Sequence, residues 1–289
     1  VSRSRLSARL APYYLVLPGW LWLALFFVVP TFVMLSVSTQ TGDIISGFRQ
    51  TFHWHTYVEA WDTYHVQFVR SLLYGLVATV LCLVIGYPVA YWIAFRGGAH
   101  KASLLFLLLL PFFVSFVIRT QSWNFILSDN GIVLSPLRHW GLIGSRFHVL
   151  QTPYAVIGGL TYNFLPFMVL PIYVALERVD RALLEASADL YASSREAFRK
   201  VVFPLSLPGV FAGVLLTFVP ASADYVNASI LGGAKTTMIG NIIQTEYFTN
   251  LNYPMAAALS FILMALLLVG VFAYARALGT EDVFEVNAR

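Results

Sequence analysis

Apolar runs, each near the length of one bilayer crossing, alternate with short polar stretches along the chain. A helix crossing a hydrocarbon core of about 30 Å needs about 20 predominantly apolar residues. Runs of that kind cover about 14–37, 66–95, 102–127, 154–176, 209–231 and 254–278. Six membrane-spanning helices are predicted. The unbroken run Leu104–Pro111 argues against a β-barrel, whose strands alternate in segments of about 10 residues. The first run exceeds the h-region of a signal peptide, about 7–15 residues, and no small-residue cleavage site stands out, so it is expected to be retained. Gly86 and Pro88 are expected to break the second run. Pro111 lies in the third, Pro166 and Pro171 in the fourth, and Pro220 and Asp224 in the fifth. An interior proline removes a backbone hydrogen bond and kinks a helix, which a membrane tolerates where neighbours or water satisfy the freed carbonyl.

The stretches between the runs read as loops at 39–66, 96–101, 128–152, 177–207 and 232–253. Segment 128–152 opens on a turn signal, Ser128-Asp129-Asn130-Gly131, and continues as a short amphipathic piece around 133–143. The most charged internal stretch is Glu185–Pro208, with Glu185, Asp189, Arg195, Glu196, Arg199 and Lys200. Within it Leu190, Ala197, Phe198, Val201 and Val202 recur at roughly helical spacing. A short amphipathic helix of this kind can lie in a groove of a soluble partner.

Composition agrees with a membrane protein. The chain has 289 residues, 58% hydrophobic and 11% charged, with mean hydropathy +0.73; a soluble domain carries about 25% charged residues. The fold class is therefore an all-α membrane protein. Lysine and arginine orient it. With both termini inside, twelve basic residues fall on the inner side and four (Arg49, Arg138, Arg146, Lys235) on the outer side, leaving Arg70 and Arg119 in or at the ends of crossings. The predicted organisation is a cytoplasmic N-terminus (1–13), a six-helix domain (14–278) with a cytoplasmic loop at 177–207, and a cytoplasmic tail (279–289). The net charge of +4 follows from this bias and implies no nucleic-acid partner. Cys82, the single cysteine, lies in an apolar run as a small hydrophobe. His53 and His55 lack a carboxylate or cysteine to complete a metal set.

From Glu185 onward the chain reads Glu185-Ala186-Ser187, then Tyr191, then Val201-x-Phe203-Pro204. This resembles the EAA loop of ABC-importer permease subunits, E-A-A-x3-G-x9-I-x-L-P, at the same spacing. Ser187, Val201 and Phe203 soften the pattern, and Tyr191 stands where the family has glycine. A glycine there suits a turn with φ > 0, so the turn is expected to be built differently here. The resemblance extends to Pro111–Thr120 with Trp123, to Asp224-Tyr225-Val226 with Leu231-Gly232-Gly233, to Met238–Gln244, and to Tyr253–Ser260. These look like the polyamine-type permeases, the spermidine/putrescine B-type among them. Related permeases carry iron(III), thiamine, sulfate, molybdate or phosphonates. The resemblance implies a type I importer permease in the bacterial plasma (inner) membrane. Its implied partners are a second homologous permease, two ATP-binding subunits and a periplasmic or lipoprotein solute-binding protein. The chain would not be an enzyme and would hold no cofactor, with ATP and Mg in the partner subunits. Glu185, Ala186, Ser187, Tyr191, Val201 and Pro204 would form the ATPase-coupling set.

Asp224 is the only acidic residue deep in a predicted crossing, and such a group normally faces a cavity or a partner. It either lines a path for a polycation or serves structure, paired with Arg119 or bonded to Asn163. Tyr225, Trp123 and Tyr162 offer aromatic faces that attract ammonium groups; the same aromatics at crossing ends also serve as interface anchors. Arg119 is expected to snorkel to the interface. Glu246 reads as a solvated outer-loop charge or as part of a docking surface for a binding protein. Gly232-Gly233-Ala234-Lys235-Thr236 is no phosphate loop, since the pattern needs glycine where Ser229 and Ala234 stand. An ion-coupled secondary transporter would need further intramembrane carboxylates or histidines and often inverted repeats; only Asp224 is present and no repeat is visible. A membrane enzyme would need a catalytic cluster, and none is found.

Overall fold

The computed structural model describes residues 15–144 and 147–277. The predicted termini at 1–13 and 279–289 lie outside the described residues. In chain order the elements are α1 (Leu15–Ser38), β1 (Gln40–Asp43), β2 (Gly47–Gln50), α2 (His55–Arg96), α3 (Gly98–Phe113) and α4 (Phe116–Leu127). Then come α5 (Leu134–His139), α6 (Pro153–Glu177), α7 (Arg181–Asp189), α8 (Ser194–Ala223), α9 (Val226–Leu231), α10 (Ile239–Phe248) and α11 (Tyr253–Ala277). Five helices, α1, α2, α6, α8 and α11, are long and apolar enough to cross a membrane. The pair α3–α4, bent by 90°, supplies the sixth.

Four expectations need correction. Residues 39–66 are not a loop: β1 and β2 pair antiparallel, Gln40 opposite Gln50, and α2 begins at His55. At 42 residues, α2 is about 63 Å long, twice the hydrocarbon core, so its first turns are polar because they leave the membrane. The expected break at Gly86 and Pro88 is absent, and α2 runs unbroken through Pro88. The third crossing does break, at Val114 and Ser115, whose ψ angles of 139° and 137° are extended. Segment 232–253 holds α10 rather than a loop, and Glu246 on it is 7% exposed, not solvated.

The chain divides into two compact units, Val1–Thr63 with Ile243–Met264, and Tyr64–Ile242 with Ala265–Arg289. In the first, Gln50 Nε2 donates to Thr39 Oγ1 at 2.7 Å and pins the hairpin to the end of α1, while Ser38 Oγ bonds Tyr57 OH at 2.7 Å and ties the start of α2 to the same end. The second unit is built around α6, with 61% of its most apolar window buried. Cys82 on α2 is fully buried and its Sγ donates to Thr161 O at 3.3 Å. Helix α8 approaches α6 through Gly209 and Gly213, four residues apart. A Cβ at Gly209 would stand 2.5 Å from Pro171 O, and one at Gly213 would stand 2.9 Å from Met168 Sδ. Lipid offers no hydrophobic drive between helices, so small residues that bring backbones together supply the dispersion contact instead.

Candidate functional site

The charged loop is a compact helix–turn–helix. Asp180 caps α7, its Oδ1 accepting from Ala182 N at 2.9 Å. Helix α7 then ends in a Schellman turn: Ala192 N donates to Ser187 O at 3.0 Å and Tyr191 N to Ala188 O at 2.9 Å, the two bonds that define that motif. The motif requires a left-handed residue, and Tyr191 takes it with φ 58°. A left-handed turn of the kind that suits glycine is therefore formed by a tyrosine, against the expectation of a different one. Its side chain tolerates this because it is 97% exposed and meets nothing. Ser193 follows at once and opens α8 with a capping box: its Oγ accepts from Glu196 N at 3.3 Å, and Glu196 Oε2 accepts from Ser193 N at 2.9 Å.

Helix α8 continues from the loop into the fifth crossing without interruption, so the helix starts at Ser194, ahead of the apolar run that begins near 209. Pro204 cannot donate to the helical ladder. The turn before it widens to π geometry over Phe198–Val202, with Phe203 N donating to Phe198 O. Phe198 is gripped by α2: its ring meets Tyr87 and Tyr91 edge-on, at 5.8 Å in each case. Tyr87 OH bonds Ser206 Oγ at 2.8 Å. The loop is thus joined to two crossings, to α8 by continuity and to α2 by ring packing.

Of the coupling set, Glu185 and Ala186 are exposed on α7, while Ser187 is half-buried and bonds Leu184 O at 2.7 Å. On α8, Val201 is half-buried and Pro204 exposed. Leu183 and Leu190 are also exposed, at 46% and 81%. The loop is pre-formed by its own hydrogen bonds and leaves apolar and acidic side chains uncovered.

The second candidate site lies where the fifth crossing ends. Asp224 is not inside a helix: it ends α8 with ψ 133°, and α9 begins at Val226. Its Oδ1 accepts from Asn227 N at 2.7 Å and from Asn227 Nδ2 at 3.2 Å. Asn227 Oδ1 accepts from Asn163 Nδ2 at 3.0 Å, which also donates to Thr120 Oγ1 at 3.1 Å. One buried polar chain thus joins α4, α6 and α9. Gly159 makes room for it, since a Cβ there would stand 2.7 Å from Asn227 Oδ1. Asp224 makes no ion pair with Arg119 and no direct bond to Asn163 among the described residues, and its Oδ2 takes no hydrogen bond there. Tyr225 lies beside it, 45% exposed. Asn241 on α10 holds the break, donating to Tyr225 O at 2.8 Å and Ser229 Oγ at 2.6 Å. Trp123 and Tyr162 meet edge-on at 5.2 Å. Asn227, Thr120 and Asn241 were not singled out from the sequence. The signal for Asn227 was its place three residues after Asp224, the spacing at which a capping carboxylate reaches a backbone N–H.

A helical chain with six crossings and a pre-formed, uncovered helix–turn–helix on one loop is a multi-pass transport permease of the bacterial inner membrane. Residues 12–277 match the family described as "Binding-protein-dependent transport system inner membrane component", and the chain belongs to that family. It is similar to the spermidine/putrescine transport system permease protein PotB of Haemophilus influenzae, 37% identical over 257 residues, covering 89% of this chain and 90% of that one. The PotB of Escherichia coli K12 is 36% identical over 257 residues, covering 89% and 94%. Among solved structures, a bacterial ABC transporter involved in the import of the acidic polysaccharide alginate superposes with TM-score 0.71 at 18% identity, covering 96% of this chain and 99% of that one. The MetNI methionine ABC transporter does so with TM-score 0.57 at 19% identity, covering 74% and 94%. At such identities the shared property is the fold, that of ABC-importer permeases.

Proposed function

We propose that this chain pairs with a second homologous permease to form the translocation path of an ATP-driven importer for a polyamine, spermidine or putrescine. An extracytoplasmic binding protein delivers the solute. Two partner ATPases hold ATP and Mg and hydrolyse the nucleotide, and this chain performs no catalysis and holds no cofactor. Both termini and the loop between α6 and α8 face the cytoplasm, which places twelve of eighteen basic residues inside as the charge rule requires. The proposed organisation is a membrane domain over 14–278 between short cytoplasmic ends.

The observation that carries the role is the uncovered loop, with Glu185, Ala186 and Ser187 on α7, Tyr191 at its turn and Val201 and Pro204 leading into the crossing. ATPase closure pulls this loop and tilts α8, and α2 follows through Phe198. The substrate class is supported by the names of the relatives and by the Asp224 carboxylate, whose Oδ2 is left without a partner among the described residues. Tyr225, Trp123 and Tyr162 line the path as aromatic faces, and Asn163 holds Asp224 in place through Asn227.

The test is uptake by proteoliposomes holding the complete complex with its binding protein. Asp224→Asn should raise the half-saturating spermidine concentration about tenfold, on the order of 1.4 kcal/mol, with the complex intact. An unchanged value would make Asp224 structural. Uptake of iron(III), thiamine or a phosphonate in place of polyamine would overturn the substrate.

A further inference from the structure

Arg119 stands on α4 one turn past the break in the third crossing and is 7% exposed. It does not snorkel to an interface. A cation in a membrane helix normally pairs with a carboxylate or faces a water-filled cavity. Arg119 has no carboxylate partner among the described residues. Its side chain makes one hydrogen bond, from Nη1 to Pro111 O at 3.0 Å, and its Nε is buried with no partner. What surrounds the guanidinium is aromatic. Its Cζ lies 4.6 Å from the ring centre of Phe112, 5.6 Å from Phe116 and 6.0 Å from Tyr162. Rings at up to about 6 Å attract a cation through their quadrupoles, more strongly where water is excluded. Clefts of about 440 and 270 Å³ open on either side, one bordered by Phe164 and Asn163, the other by Trp123 and Ser122.

We propose that Phe112, Phe116 and Tyr162 form an ammonium-binding cage, and that Arg119 is its tethered resident, displaced by an ammonium group of the passing substrate. The inference rests on the polyamine reading above. Three features carry it. The rings hold a cation already, so their geometry suits one. The resident is held by a single hydrogen bond, and the donors it leaves unused gain water on swinging into either cleft. The cage is also built across the break, with Phe112 on α3 and Phe116 on α4. It therefore exists only while the two half-helices keep their angle, and a change of that angle during transport would release its occupant. A fixed buried arginine would repel a polycation. A resident that moves aside admits one and then, on returning, evicts it.

The competing role is a cap: Arg119 satisfying the Pro111 carbonyl freed at the break, and nothing more. Arg119→Gln separates the two, because it keeps a side-chain N–H donor and removes the cation. In proteoliposomes holding the complete importer, spermidine uptake is measured against spermidine concentration for the native complex, Arg119→Gln, Arg119→Lys and Phe116→Leu. With its resident gone, the cage in the Gln variant binds substrate unopposed. The half-saturating concentration falls at least about threefold, and the maximal rate falls with it because release slows. The Lys variant shifts less than Gln, and Phe116→Leu, which removes one ring, shifts the concentration upward. An unmoved half-saturating concentration in both Gln and Leu variants overturns the cage. Should the Gln variant fail to assemble, Phe116→Leu decides alone, and a native value overturns the proposal. Absence of polyamine uptake by the native complex overturns the polyamine reading and the cage with it; native uptake with unmoved variants overturns the cage only.

Discussion

Around Tyr191 the side chains that matter face outward. Glu185, Leu183 and Leu190 on α7 are exposed, while the backbone of the turn satisfies itself through the Schellman bonds and the Ser193–Glu196 box. Around Asp224 the arrangement is inverted. The backbone is broken, and side chains turn inward to complete it: Asn227 onto Asp224, Asn163 onto Asn227, Asn241 onto Tyr225. The difference follows from solvent. A loop in water loses little by exposing polar groups and can reserve its surface for a partner. A break at membrane depth must satisfy its own carbonyls and amides, because each unsatisfied group there costs several kcal/mol. One region is therefore rigid in backbone and unfinished in surface, and the other is irregular in backbone and finished by side chains.

The outward-facing surface of the loop is most exposed to disruption at Glu185. Its carboxylate is exposed and has no ion-pair partner among the described residues, so within this chain its reversal disturbs nothing described. Docked against a basic site of an ATPase, a reversed charge meets its own sign, and like charges brought together across an interface cost several kcal/mol. Glu185→Arg should lower uptake more than tenfold, about 1.4 kcal/mol or more, while the protein still inserts and the thermal stability of the isolated chain in detergent is unchanged. Equal loss of stability and uptake would show Glu185 to be part of the fold.

The two regions were also unequally legible in the sequence. The loop was readable because its motif couples residue type to spacing: Glu185 and Pro204 fell at the expected separation on the two helices, whereas Tyr191, standing where the motif has glycine, pointed to a different turn from the one that forms. The polar chain at Asp224 was readable only in part. Hydropathy marks residues 209–231 as one apolar run and carries no information on backbone dihedrals, so the break at Asp224 was hidden inside it. Asn227 and Asn163 are 64 residues apart and meet only through packing. The same blindness joined α3 and α4 into one predicted helix, and it placed a break at Pro88, where α2 has none. Glu246 was misread for the opposite reason. Its neighbourhood is polar enough to resemble a loop, and only the helix α10 shows the carboxylate to be buried.

Tyr191 tests the backbone of the same loop rather than its surface. A non-glycine residue held at φ 58° is strained by roughly 1–2 kcal/mol. The rigid-backbone account of the loop says that the strain is absorbed by the Schellman bonds without altering the turn. Tyr191→Gly should then stabilise the loop by about 1 kcal/mol, seen as slower amide exchange at Tyr191 and Ala192, the two donors of the motif. The bare turn should leave uptake intact unless the exposed ring itself touches the ATPase. Faster exchange in the Gly variant would mean that the tyrosine ring, not the backbone, sets the turn.

The turn is held from its other side by the box at Ser193. Glu196 Oε2 accepts from Ser193 N and from Ser193 Oγ, both at 2.9 Å, and its Oε1 lies 3.5 Å from Lys200 Nζ. The bond from the Ser193 backbone, then its hydroxyl, then the Lys200 charge hold the carboxyl below its ordinary value of 4.5. A carboxyl depressed in the folded state contributes stability that is full above its ordinary value and is lost as pH falls through the folded one. Amide protection at Ser194–Ala197 should therefore be constant from neutral pH down to about 4.5 and should fall below that. Glu196→Gln cannot ionise, so its protection should start lower and stay flat across the same window. Identical profiles in the two proteins would remove the box from the account of how the loop holds its shape. The effect is small because the carboxylate is solvated, and water and salt screen the Lys200 contribution. What remains is a pair of short hydrogen bonds to Glu196 Oε2, which act with the bonds from Glu196 N to Ser193 Oγ at 3.3 Å and from Ala197 N to Ser193 O at 2.9 Å to orient the first turn of the helix that carries the loop into the membrane.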